Sequence, residues 1–288
     1  MVQTMADLLA PDAFMRAKNS LALTDLPLER LAAIDRLMAA ANDAQLLDGL
    51  AVSGLLALRA IYKLSVVPDA IELAPSEAGV PIEARLTALA SLAGHVLPEA
   101  SVGPLRNDEA RDAISITVSF TGTTLPSVSL PLRIARRPLA LGSLAGTGMP
   151  FDLQLGNRYE LPFAWAEELI ALCFRAGRQT KEAVYFECLR ELRLRYKDEV
   201  KDALRRVVPG LLWEELSEHF KEFVREVLAA FRSGQYQGFP SDYYPTNYTP
   251  PSERDVTESE DWLNETLVDL VERCPARPQG PLPWPGGK

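Results

Sequence analysis

Histidine and cysteine are scarce in this chain: two His and three Cys in 288 residues. With only His95 and His219 available, histidine-rich catalysis has almost no material to work with. The cysteines, Cys173, Cys188 and Cys274, are odd in number and fit no zinc spacing. They read as small buried apolar residues of a reducing compartment. Long apolar runs are also missing. The most apolar stretch, Leu46 to Val67, is interrupted by Asp48, Arg59 and Lys63, which favours a buried helix over a membrane span. The N-terminus lacks a basic region followed by an apolar run, so no secretory signal is expected. The expected location is therefore the cytoplasm, or a particle built inside the cell.

Positive charge is in deficit as well. Thirty Lys+Arg face 39 Asp+Glu, for a formal charge of −9. That argues against a protein that coats nucleic acid, because phosphate binding needs clustered positive charge. The deficit is uneven: residues 238–288 carry 4 basic and 9 acidic side chains.

Motifs that announce a chemistry are absent too. No G-x-S-x-G nucleophile elbow exists. The glycine-rich stretch Leu141 to Met149 is followed by Pro150 with no Lys nearby, so it reads as a loop between strands rather than a phosphate loop. Arg136 and Arg137 leave a weak anion-binding alternative there. The adjacent carboxylates Asp108/Glu109, Glu167/Glu168 and Glu214/Glu215 read as solvated faces. Glu215 and His219 lie four apart, so on a helix they share a face. They are the only weak metal candidate, and a zinc hydrolase pattern would need a second His. No cofactor is expected.

What is present is a clear alternation of element types. Thr24, Asp25 and Pro27 open a helix with apolar positions Leu31, Ile34, Leu37 and Met38. A second helix is predicted over about 43–63, apolar around much of its circumference, and a third over about 81–97. Residues 113–120 and 128–134 alternate apolar and polar with period two, predicting a β-hairpin. Pro131 in the second run points to an edge strand. Short strands are predicted over 151–155 and 159–161 around a Gly156-Asn157 turn. Helices follow over 164–176, with Gly177 as a left-handed cap, over 181–208, and over 211–232. A last helix opens at Asp255, with Glu258 completing a capping box.

The predicted fold class is α+β and helix-dominated, in four regions. An N-terminal helical region covers 1–110 and a small antiparallel β insertion 111–162. A C-terminal helical region covers 163–234. Residues 235–288 form an extended Tyr/Pro-rich arm with a terminal helix and a flexible tail. The arm holds four Pro and four Tyr within 235–252, which suits extended chain. Phe239, Tyr243, Tyr244, Tyr248 and Trp262 are the expected partner-binding residues, because Tyr and Trp suit a wet interface rim. Wrapping of the arm back onto its own domain is the alternative.

Absent catalytic motifs, an arm and an acidic end lead to a non-enzymatic expectation. The chain is read as a structural or adaptor component of a larger assembly, of the virion connector or tail kind, docking on a partner or on itself through 235–288. Membrane and nucleic-acid partners are not expected, and no small molecule is identifiable. One alternative is a hydrolase or transferase with a carboxylate-based site near Glu215 and His219. Another is a regulatory module touching nucleic acid through the basic helix 190–206.

Overall fold

The computed structural model describes residues 9–144, 150–180, 183–212, 229, 243–259 and 261–262. The fold is α+β. Two units are distinguished: residues 1–164 with 240–248, and residues 165–239 with 249–288.

In the first unit the elements run α1 (Pro11–Leu21), α2 (Asp25–Asp43), β1 (Leu50–Val52), α3 (Gly54–Ala60), β2 (Ile71–Pro75), α4 (Ile82–Val96), β3 (Ser101–Val102), β4 (Arg106–Asp108), β5 (Ala113–Phe120), β6 (Val128–Ala135), β7 (Ser143–Leu144) and β8 (Phe163–Ala164). The strands form one mixed sheet in the order β3-β5-β6-β2-β1-β8-β7, with β4 also paired to β5. β5 and β6 pair antiparallel along their whole length, as the period-two alternation requires. Their apolar set, Ile114, Ile116, Val118, Leu130, Leu132 and Ile134, is buried, and α2 and α4 pack against this part of the sheet. The alternate positions Ser115, Thr117, Ser119 and Arg133 lie on the other, open face.

The sheet reaches further back than the expected 111–162 insertion. Residues 43–63 are not one helix: they hold a run of turns, then β1, then α3. Gln45, Gly49, Gly54 and Lys63 all have positive φ, which breaks a helical path. The run is apolar on every side because β1 is fully buried between β2 and β8, and a strand buried on both faces cannot be told from a buried helix by periodicity. Nor is β6 an edge strand. β2 pairs only with Leu132 to Ile134, so Pro131 lies just outside that ladder, where no donor to β2 is required. The short strands expected over 151–161 reduce to one bridge, Phe151 with Tyr159, around Gly156 at φ 109°.

The second unit contains α5 (Ala166–Thr180), α6 (Ala183–Arg206) and α7 (Val208–Leu211). The four-residue spacing of α6 buries Val184, Cys188, Leu192, Val200 and Leu204. Gly177 does not cap α5, which continues past it. Its role is close approach, since a Cβ there would lie 2.6 Å from the Phe186 ring. Residues 253–259 are helical. The capping box at their start is Ser252 with Asp255 rather than Asp255 with Glu258: the Ser252 amide donates to Asp255 Oδ2 (2.9 Å) and the Asp255 amide to Ser252 Oγ (3.2 Å). Among the described residues, no helix is long and apolar enough to cross a membrane.

Candidate functional site

The charged side chains of the open face converge at one place. β1 ends at Val52, and the chain turns through Ser53 and Gly54 into α3. The Ser53 amide donates to the Glu72 carbonyl (2.9 Å), and the Leu55 amide donates to Glu72 Oε2 (2.7 Å). Gly54 sits at φ 61°, and a Cβ there would lie 2.0 Å from Glu72 Oε2. Only glycine allows the carboxylate to come this close to the turn.

Glu72 stands in β2 directly opposite Arg133 in the parallel neighbour β6. Arg133 in turn faces Ser115 in β5, which faces Arg106 in β4. Residues in register across a sheet project from the same face, so this row is a single polar strip. Arg133 Nη1 lies 3.6 Å from Glu72 Oε1 and 3.7 Å from Asp69 Oδ1, and its Nε lies 3.6 Å from Asp108 Oδ2. Arg111 Nη1 is 3.6 Å from the same Asp108 oxygen, and the Tyr243 hydroxyl donates to Asp69 Oδ2 (3.4 Å). The side chains are mostly buried but reachable, from 12% exposed for Arg133 to 21% for Asp69. Burial pushes the Glu72 carboxyl up from its ordinary value, and Arg133 opposes that shift. The Arg133 contacts exceed hydrogen-bond length. The guanidinium is thus a shared counter-ion rather than a clamp on one partner.

A groove of about 320 Å³ lies on the same face, lined by Ser101, Gly103, Arg106, Thr117 and Ser119 among others. It offers hydroxyl groups and one guanidinium beside the charged strip.

A second polar cluster in this unit surrounds Asp35 of α2. Asn157 Nδ2 donates to Asp35 Oδ2 (2.5 Å), and the Tyr159 hydroxyl donates to the Asp35 carbonyl (3.3 Å). Asp152 nearby holds Arg158 (3.1 Å) and Lys63 (3.9 Å). Burial pushes the Asp35 carboxyl up to about 6, only partly offset by the Asn157 bond. A carboxyl whose folded pKa is raised favours folding when protonated, and that contribution is lost as pH rises from the unfolded value through about 6. Asp35→Asn is therefore expected to match the wild type in stability near pH 4 and to exceed it by up to about 2 kcal/mol at pH 7.5. Urea denaturation at both pH values checks this, and a variant less stable at pH 7.5 would contradict it.

No known protein family matches the sequence, and no curated protein matches it. Solved structures do. MenT4, a nucleotidyltransferase toxin from Mycobacterium tuberculosis H37Rv, superposes with a TM-score of 0.60 at 18% identity, over 91% of this chain and 90% of its own. The chain shares its fold with a nucleotidyltransferase. JHP933 from Helicobacter pylori is similar at a TM-score of 0.50 and 12% identity, over 87% of this chain and 96% of its own.

This overturns the structural or adaptor expectation, and with it the virion connector or tail analogy. The reasoning failed because missing motifs were read as a missing site, whereas the charged groups are contributed by separate strands. The alternative of a hydrolase or transferase with a carboxylate-based site is the better supported, while its placement near Glu215 and His219 falls outside the described residues. The expectations that nucleic acid is unlikely and that no small molecule is identifiable lose their support too, since the fold is one that a nucleotidyltransferase also has.

Of the residues singled out from sequence, Tyr243 touches the Arg133 cluster through Asp69. Glu215, His219 and Phe239 lie outside the described residues. Tyr243, Tyr244 and Tyr248 lie against their own unit. The Val67 amide donates to the Tyr243 carbonyl (2.8 Å), Tyr244 is buried, and Tyr244 stacks on Tyr248 with centroids 4.2 Å apart. Trp262, in the second unit, is half-buried with the Arg193 guanidinium 4.7 Å from its ring centroid. In the basic stretch of α6, Arg190 is engaged by Glu187 through two donors.

Sequence reasoning missed Gly54, Asp69, Glu72, Arg111 and Arg133, and set Asp108 aside as solvated. A usable signal existed: Ser53-Gly54 after an apolar triplet, then Asp69 and Glu72 at the start of a second apolar stretch. It was hidden by reading 43–63 as one helix.

Proposed function

We propose that the chain is a transferase that binds a nucleoside triphosphate on the open face beside β2 and β6 and passes its nucleotidyl group to a hydroxyl acceptor. The observation that carries this reading is the gathering of Asp69, Glu72 and Asp108 around Arg133 next to the Ser53-Gly54 turn, on a fold shared with MenT4.

The acceptor oxygen attacks the α-phosphorus, the bond from that phosphorus to the β-phosphate oxygen breaks, and pyrophosphate leaves. The acceptor proton passes to Glu72. Its buried carboxylate is a stronger base than a solvated one, which suits proton abstraction near neutral pH. Arg133 and Arg111 present N–H donors to phosphate oxygens. The hydroxyl-lined groove beside them suits a sugar or a second phosphate.

In-line displacement at phosphorus is often assisted by divalent cations held between carboxylates. The carboxylates of this cluster do not fit that role as arranged, because all three are turned to one guanidinium. Among the described residues, no three His, Cys, Asp or Glu side chains form a group that could hold an ion.

The test is transfer of label from each of the four α-32P nucleoside triphosphates to total RNA or to protein. Label is expected in an acceptor with at least one of them, and Glu72→Gln should reduce the rate by about 100-fold or more. Absence of both transfer and nucleotide binding would overturn the reading.

A further inference from the structure

Three carboxylates that face one another on an open sheet face repel each other, and they need a positive partner to stay together. That partner is Arg133. It projects from the register position beside Glu72 and reaches all three acids, two through Nη1 and one through Nε. An arginine at this place offers a planar fork of N–H donors that can face several carboxylates at once, which a lysine's point charge does not. A divalent ion on the same oxygens would need them at about 2.0–2.6 Å. They stand 3.6–3.7 Å from the guanidinium nitrogens, farther than the bonds such an ion makes to its oxygens.

We infer that Arg133 is the resident cation of this site: it occupies the place that a divalent ion would take, and the phosphates of a nucleotide meet the guanidinium instead of a metal held by Asp69, Glu72 and Asp108. The second half of this statement rests on the transferase reading. The first half does not, because it concerns the chain alone. Arg111 supports the arrangement. It shares Asp108 with Arg133 and also acts on Glu72 from a greater distance, whereas the ion-pair contacts of Asp69 and Glu72 among the described residues are with Arg133. Removing Arg133 therefore takes away the ion-pair partner that Asp69 and Glu72 share, and leaves the two carboxylates able to accept another cation.

The test is Mn2+ binding in the absence of nucleotide, followed by the free-ion paramagnetic resonance signal and by thermal denaturation. Four proteins are compared: wild type, Glu72→Gln, Arg133→Met and the double variant. Wild type and Glu72→Gln are expected to take up the same amount of Mn2+, because nothing binds at the cluster. Arg133→Met is expected to gain one site about tenfold tighter than any in the wild type, so that adding Mn2+ raises its melting temperature above that of the ion-free variant, and the double variant should lose both. A wild-type site that disappears in Glu72→Gln would overturn the inference. So would an Arg133→Met protein that folds, by circular dichroism, and gains no site. Should Arg133→Met not fold, Arg133→Gln, which keeps a polar partner for the acids, replaces it with the same outcomes. No nucleotide is present, so failure of the transferase reading leaves this pattern intact. Conversely, a metal site at Glu72 would overturn the inference while leaving transfer possible.

Discussion

Arg133→Met is expected to destabilise the protein by roughly 2–4 kcal/mol at neutral pH. Methionine keeps most of the buried stem, so the loss is chiefly of charge rather than of packing. It leaves Asp69, Glu72 and Asp108 close together, with Arg111 the cation still paired to Asp108 among the described residues. The figure stays below that for a fully buried pair because these side chains keep 12–21% of their surface in water. The pH dependence has a definite sign. Glu72 already has a raised pKa in the folded chain, with Arg133 opposing the rise, so removing Arg133 raises it further. A group of this kind supports folding when protonated and loses that support as pH rises. The deficit of the variant is therefore largest at pH 7–8 and shrinks toward about pH 3, below the ordinary carboxylate range. Urea midpoints at several pH values check it, and a deficit independent of pH would mean that Arg133 acts through packing.

Gly54→Ala is expected to cost about 2–5 kcal/mol, combining a non-glycine residue at positive φ with an overlap that the structure must relieve. The added carbon would lie 2.0 Å from Glu72 Oε2 and 2.9 Å from its Cβ. Glu72 Oε2 would have to leave the Leu55 amide, which it now accepts from at 2.7 Å. The substitution thus acts on the site as well as on stability, and any transfer activity should fall together with the melting temperature. Gly79→Ala is a useful control. Gly79 also has positive φ, at 90°, but a Cβ there meets nothing within 4 Å. It should show only the backbone part of the cost, about 1–3 kcal/mol. Equal losses at the two positions would contradict the steric role assigned to Gly54.

Local signals in the sequence were legible wherever one face of an element is buried. The hairpin β5–β6 follows from alternation, with its ends close to those expected. The same holds for α2 and α4, whose apolar residues recur at helical spacing. What alternation cannot reveal is a strand buried on both faces. β1 therefore merged with α3 into one expected helix, and β2 fell in the stretch between the helices expected over 43–63 and 81–97, where no element was expected. The site was lost with them. Its acids come from β2, from the bend just before it and from the end of β4, and its arginine from β6. They are far apart in sequence and become neighbours only through the β2–β6 crossover. Arg133 looked like any polar residue on a solvent-facing position of a strand. The Tyr/Pro segment drew notice because it lacked periodicity, but Tyr243 and Tyr244 are fixed by contacts with the chain's own first unit, including Val67 and Asp69.

The decisive measurement is the label-transfer reaction run side by side on wild type, Glu72→Gln and Arg133→Met, with binding of the same nucleoside triphosphate recorded for each. Wild type is expected to bind and transfer. Glu72→Gln should still bind, with transfer reduced about 100-fold or more, and Arg133→Met should bind at least about tenfold more weakly. Transfer by wild type that persists at full rate in both variants would contradict the assignment of the site to β2 and β6.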